Sequence, residues 1–130
     1  MKRITQEMLK IYKPYSNMDW MNYRLVKRDM TFHHIEKKAD GGKPLFTNGA
    51  LLMPVAHQYL HLIECKDIRT YEAINRIFRI VNDQKHEPTR EQREIVEYLL
   101  REFESIHKWD VNYKGKILIL RKYKEREIIL

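Results

Sequence analysis

Four of the six histidines fall between positions 33 and 61, as the doublet His33-His34 and the pair His57 and His61, with Asn48 between them. Imidazole ligates divalent metal ions and, with an ordinary pKa of about 6.5, can also take a proton from water at neutral pH. His57 and His61 are four residues apart, a spacing that puts two side chains on one helical face and lets both reach one ion. A third ligand from a neighbouring strand would complete a set of three and leave one coordination position open. Adjacent strand residues point to opposite faces, so His33 and His34 cannot easily bind one ion together, and different roles follow for them. An imidazole held beside the ion would activate water while the open position took a phosphate oxygen. The chemistry in view is therefore hydrolysis of a phosphodiester.

These residues need elements to position them. Rising β-branched and aromatic content from Tyr23 to Ile35 predicts extended structure ending at the doublet, and Asp40-Gly41-Gly42 predicts a turn. Ala50 to Met53 reads as a second short strand, and Pro54 suits the first position of a helix running to Cys65. Wound at about 100° per residue, that helix puts Val55, Tyr59 and Leu62 on one side and Ala56, Leu60 and Ile63 on the adjoining side. His57, His61 and Glu64 share the remaining stripe, and two histidines on a largely buried helix need partners.

Around this unit, Thr5 to Tyr12 reads as a short helix capped by Thr5 and stopped by Pro14. Asp67 can cap a helix to about Asn82 with Ile68, Tyr71, Ile74, Phe78 and Val81 inward. Thr89 and Gln92 match a capping box for a helix from Arg90 to Lys108, with Ile95, Val96, Leu99, Leu100, Phe103 and Ile106 as its inner face. Ile117 to Leu120 and Glu127 to Leu130 are β-rich runs that would form a terminal hairpin.

The chain of 130 residues is long enough for one domain, 1–130, and its 43% hydrophobic content argues against general disorder. Net charge is +7 and the pI about 9.5, with the basic surplus at the two ends and residues 44–109 close to balance. That excess suits a polyanionic partner if the ends share a face; the simpler reading is a solvated surface. One cysteine, Cys65, excludes an internal disulfide and a cysteine-based zinc ribbon. No window of about 18 apolar residues predicts a membrane span, and no apolar run follows Met1-Lys2-Arg3 as a secretory signal would require. The expectation is a soluble, cytoplasmic protein.

The doublet His33-His34, thirteen residues to Asn48, eight to His57 and three to His61, with Asp40-Gly41-Gly42 in the loop, resembles the HNH (His-Asn-His) endonucleases. The match covers about residues 31–65 and looks most like the His-His form of nuclease colicins and many small phage or mobile-element proteins. The resemblance implies an α+β fold with a ββα-metal core, here wrapped by additional helices and a C-terminal β-hairpin. It implies His34 as general base, His33, His57 and His61 as ligands of one divalent ion (magnesium, manganese, nickel or zinc), and Asn48 as a brace of the loop. The implied substrate is DNA, cut to leave a 5′-phosphate and a 3′-hydroxyl, with RNA left open. Cutting would have little sequence specificity, or specificity would come from other parts of the chain or from a protein partner. Many relatives hold this core with cysteine pairs around a structural zinc. Met53-Pro54-Val55-Ala56 precedes His57 here, so apolar packing must replace that staple.

Plainer readings stand beside these. The histidine pair could be helix-surface or core residues, and His34 could belong to a degenerate site. Cys65 reads as a small buried residue. Glu64 could orient a ligand imidazole or pair with Lys66 or Arg69. Trp20 and Trp109 read as core or interface anchors. Lys37, Lys38 and Lys43 lie in the loop beside the proposed ion, where they would contact phosphate or simply face solvent. His86 and His107 fit no ligand spacing. The rival functions are a non-catalytic metal-stabilised nucleic-acid-binding or packaging accessory protein, and a metal module that binds protein.

Overall fold

Alternation of side chains along Thr31 to His34 places Thr31 and His33 on one face and Phe32 and His34 on the other, and the whole architecture serves to cover both. The structure, a computed structural model, describes residues 2–12, 17–107 and Arg126. Among them it is α+β: four helices and one two-stranded antiparallel sheet. Helix α1 spans Arg3–Ile11, strand β1 Thr31–His34, strand β2 Gly49–Leu52, and helices α2, α3 and α4 span Pro54–Lys66, Ile68–Gln84 and Arg90–His107. One-turn 3-10 helices at Lys38–Asp40 and Phe46–Asn48 shape the connection between the strands.

The sheet pairs Thr31 with Leu52, Phe32 with Leu51, His33 with Ala50 and His34 with Gly49. Gly41 closes the first 3-10 turn at φ 92°, a conformation that costs a residue with a Cβ. Gly49 is required for another reason: a Cβ there would stand 2.8 Å from the Met8 sulfur and in overlap with the Phe32 ring. The residue opposite His34 therefore has no side chain, and the Phe32 ring occupies that space.

The core runs from α1 through the sheet to α3 and α4, and includes Met8, Tyr12, Trp20, Leu51, Leu52, Tyr59, Leu60, Ile63, Ile74, Phe78, Leu100 and Phe103. Each fully buried aliphatic or aromatic side chain contributes roughly 1.5–3 kcal/mol. Apolar packing of α2 on the sheet and on α3 thus holds the histidine-bearing helix in place. Trp20 is an edge-on neighbour of both Tyr12 and Phe78, as expected of a core anchor.

Several expectations need correction. Helix α1 begins two residues before Thr5, with Lys2 at its N-cap; Thr5 is buried inside the helix and its N–H bonds to Lys2 O. Regular strand over 23–35 is confined to Thr31–His34, because β2 offers only four residues to pair with. Tyr23, Leu25 and Met30 are buried by packing instead, with a 3-10 turn at Lys27–Asp29. Strand β2 starts and ends one residue before the expected limits. On α3, Ile68 is exposed. On α4, Ile95 and Ile106 are exposed while Arg93, Glu97 and Glu104 are buried.

That exchange on α4 has an electrostatic reason. Arg93 donates to Asp19 O at 2.6 Å and pairs with Glu87 at 3.1 Å, while Arg126 pairs with Glu97 and Glu104 at 2.8 Å each. Buried charges with partners displace apolar residues that sequence periodicity alone would turn inward. Asp67 caps α3 through Thr70 N, and Thr89 and Gln92 form the reciprocal capping box. The proposed terminal hairpin, Pro14 and Trp109 lie outside the described residues. Among the described residues no helix is long and apolar enough to cross a membrane.

Candidate functional site

The face of β1 that carries His33 meets α2 and α3, and the end of the strand that carries His34 turns toward Lys2 and Lys38. His33 and His57 have ring centroids 5.5 Å apart, and His57 and His61 5.0 Å apart. His33, His34, His57 and His61 line one cleft of about 390 Å³, with Lys2, Phe32, Lys37, Lys38, Glu64 and Tyr71. The structure thus brings the doublet and the helical pair together. Lys43 lies outside this lining, although its carbonyl accepts from Asn48 Nδ2 at 3.1 Å.

His33 is the most enclosed of the four, 4% exposed. Burial pushes its pKa down to about 4, with its bond to Asn75 opposing the shift. Its Nε2 lies 2.9 Å from Asn75 Oδ1, and Asn75 Nδ2 donates to Ile35 O at 2.7 Å. His57 is lowered as well, by burial and then by His61 and His34. Its Nδ1 lies 3.0 Å from Thr31 Oγ1, which in turn donates to Leu52 O at 2.7 Å. Both rings are accordingly neutral near pH 7, the state that can ligate a metal ion.

His34 stands edge-on to Phe32 at 4.9 Å. Partial burial lowers its pKa, and Lys38 and Lys2 lower it further. Its Nε2 is buried with no hydrogen-bond partner, an arrangement that calls for an explanation. His61 is the most exposed, its side chain at 65%, and its Nδ1 stands 3.7 Å from Glu64 Oε1, beyond hydrogen-bond reach. Glu64 pairs with Lys37 of the loop, which replaces the expected partners Lys66 and Arg69. Cys65 is exposed, contrary to expectation, because α2 turns it away from the packed side that holds Tyr59, Leu60 and Ile63. His86 bonds to Glu87 O, and His107 stacks on Phe103 near Asp67.

Asn48 closes the loop that joins the strands. It accepts from Glu36 N at 2.8 Å and donates to Glu36 O and Lys43 O, while Arg79 donates to its Oδ1 at 3.1 Å and to Thr47 O at 2.8 Å. Glu36, two residues after the doublet, and the segment before β2 are therefore clamped together, which fixes where β1 ends.

The site falls short of a formed metal centre in one respect. The His57 and His61 rings are stacked with an interplanar angle of 16°, and near-parallel rings do not aim their nitrogens at one point. Among the described residues no group of three or more His, Cys, Asp or Glu side chains is arranged to hold a metal ion. The donor types are nevertheless ones that a divalent ion accepts. Three imidazoles line a single cleft, two have one nitrogen hydrogen-bonded and the other available, and exposed His61 can change rotamer without unpacking the core.

Four contributors escaped the sequence reading: Thr31, Asn75, Arg79 and Lys2. Tyr71, Asn75, Arg79 and Asn82 form a row on α3 at steps of four, four and three, and Asn82 donates to Phe46 O and Gly49 O at 2.7 Å each. That row of hydrogen-bonding residues beside the apolar face was the available signal. Thr31 sits two residues before His33, so strand alternation pointed to it. Lys2 carried no such sign. Comparisons of the chain with family models, curated proteins and solved structures find no match.

Proposed function

We propose that this chain is a metal-dependent endonuclease of the HNH type, hydrolysing phosphodiester bonds in DNA, with β1, β2 and α2 serving as a ββα-metal core within residues 31–65. The observation that carries the reading is the approach of His33 to His57, 5.5 Å between ring centroids, in a cleft that also takes in His34, His61 and three lysines. The contacts of α2 with both strands beside that cleft support the reading.

In this reading His33, His57 and His61 hold one divalent ion; magnesium, manganese, nickel and zinc are the candidates. Bound there, the ion would offset the negative charge that develops on the scissile phosphate and its leaving oxygen. His34 serves as the base. Its Nε2 is closed off, which leaves Nδ1 as the atom that takes the proton as water oxygen attacks phosphorus. The bond from phosphorus to the 3′ oxygen breaks and that oxygen takes a proton from solvent, leaving a 5′-phosphate and a 3′-hydroxyl. Lowering of the His34 pKa by its surroundings keeps the base neutral at pH 7. Lys2 and Lys38 supply positive charge beside it for the phosphate backbone, and Asn48 holds the loop so that the ring keeps its place. Lys37, paired with Glu64, has less charge to offer, and Lys43 contributes from outside the cleft.

Supercoiled plasmid incubated with the protein and each candidate metal tests this directly. Metal-dependent nicking that His34→Ala abolishes while zinc binding persists is the expected result, and His57→Ala should lose both. Normal cutting by His34→Ala would remove the base assignment. The lysines around the cleft, Lys2, Lys37 and Lys38, suit one alternative as well, a metal-stabilised accessory protein that binds nucleic acid without cutting. DNA and metal binding without nicking would select it.

A further inference from the structure

Two hydrogen-bond chains in the cleft end on backbone carbonyls, and each has only one consistent direction. A hydroxyl has a single proton, and Thr31 gives it to Leu52 O at 2.7 Å. Its oxygen 3.0 Å from His57 Nδ1 can then only accept, so His57 carries its proton on Nδ1 and its lone pair on Nε2. The second chain runs through Asn75. Its Nδ2 donates to Ile35 O at 2.7 Å, which fixes the amide so that Oδ1 faces His33 Nε2 at 2.9 Å. An amide oxygen cannot donate, so His33 carries its proton on Nε2 and its lone pair on Nδ1.

We infer that Thr31 and Asn75 are positioning residues that set opposite tautomers on the two histidines, so that an ion in the cleft is met by His57 at Nε2 and by His33 at Nδ1. This rests on the metal site proposed above. It adds a direction to each ligand and assigns a role to one residue of β1 and one of α3. Both anchoring carbonyls belong to the hairpin region, Leu52 in β2 and Ile35 just after β1, so the sheet itself dictates ligand polarity. Where the ring nitrogen facing a metal is fixed in this way, losing the fixing partner typically costs about 10- to 100-fold in metal affinity.

Histidine-labelled, metal-free protein examined by long-range nitrogen-proton NMR reads the tautomers, and calorimetric titration with zinc reads the affinity. Wild type should show His57 as the Nδ1–H form and His33 as the Nε2–H form. Thr31→Val, nearly the same shape without the hydroxyl, should release His57 from its Nδ1–H form and weaken zinc binding about 10- to 100-fold, while Thr31→Ser restores both. Asn75→Leu should weaken zinc binding similarly, and Asn75→Asp, which still accepts from His33, should keep the His33 tautomer. Should Thr31→Val or Asn75→Leu fail to fold, Thr31→Ser, Asn75→Asp and the wild-type tautomers still decide the matter. His57 found with its proton on Nε2, or zinc affinity unchanged in both Thr31→Val and Asn75→Leu, overturns this inference and leaves the metal site standing. Wild type that binds neither zinc nor any other candidate metal overturns the metal site, and the ligand directions with it.

Discussion

The protein holds two polar clusters that treat their titratable groups in opposite ways. Between the N-terminal half and α4, fully buried Asp19 accepts from Met21 N, Tyr23 N and Met53 N at 2.8–2.9 Å, close to Arg93, which pairs with Glu87. Beyond it, Arg126 binds both Glu97 and Glu104, and Tyr59 donates to Glu104 at 2.6 Å. In the histidine cleft, by contrast, His33 and His57 each spend one nitrogen on a neighbour, and His34 Nε2 has no partner. The first cluster pairs its charges with one another and with backbone groups, although Arg93 Nε is buried without a hydrogen-bond partner. The second leaves one nitrogen of His33 and one of His57 uncommitted beside a basic rim.

Substitutions should separate the two. The largest effect is expected from His34→Ala, which should reduce plasmid nicking by about 10²- to 10⁴-fold, the usual worth of a general base, with little change in urea-unfolding midpoint. Loss of stability in place of activity would move His34 into the structural class. Asp19→Ala should do the reverse. Three backbone donors would lose a buried acceptor and Arg93 a nearby negative charge, lowering unfolding free energy by about 3 kcal/mol or more in urea titrations, while zinc affinity in the folded fraction stays the same. Zinc affinity falling in step would show the two clusters to be coupled.

Gly49→Ala probes the seam between them. The added Cβ must displace Phe32, which packs against His34, so a loss of about 1–3 kcal/mol is expected in urea unfolding together with weaker nicking. A fully stable Gly49→Ala would mean that the strand pair separates there with ease. The smallest effect concerns pH, measured on chelator-treated protein. His33 has its folded pKa depressed to about 4, so the unfolded chain takes the proton first and stability falls as pH drops from about 6.5 toward 4. Asp19 is raised to about 6, mainly by burial, so the folded chain takes that proton first and stability gains as pH drops from 6 toward 3.8. The two oppose each other in one window. Asp19→Asn should steepen the acid loss and His33→Gln should flatten it; equal slopes in both variants would refute the pair of shifts.

Local chemistry made much of this legible. Pro54 at a helix start, Asp67 as a cap, and the Thr89 and Gln92 box mark α2, α3 and α4 because each acts through its own backbone neighbours. The histidine spacing likewise predicted one cleft, since a strand and a helix joined by Met53 have little choice but to pack together. Elsewhere periodicity misled. On α4 the inward face holds Arg93, Glu97 and Glu104; Glu97 has a local partner in Arg101, but the buried partners Glu87, Asn22 and Arg126 lie 6 to 75 positions away in sequence, and no local pattern announces those pairs. Cys65 turned outward for the complementary reason: its helix had apolar residues enough to fill the core without it.

The amino-acid order alone determined which residues carry basic nitrogens, how far apart they sit, and where helices begin, because those properties depend on side-chain type and on contacts within a few residues. Only the packed chain decided which nitrogen of His57 and of His33 holds a proton, that Lys2 reaches His34, and that Asp19 rather than an apolar side chain sits at the junction with α4. Hydrogen-bond direction and burial are set by groups distant in sequence, and they exist only once α3 and α4 have closed on the sheet.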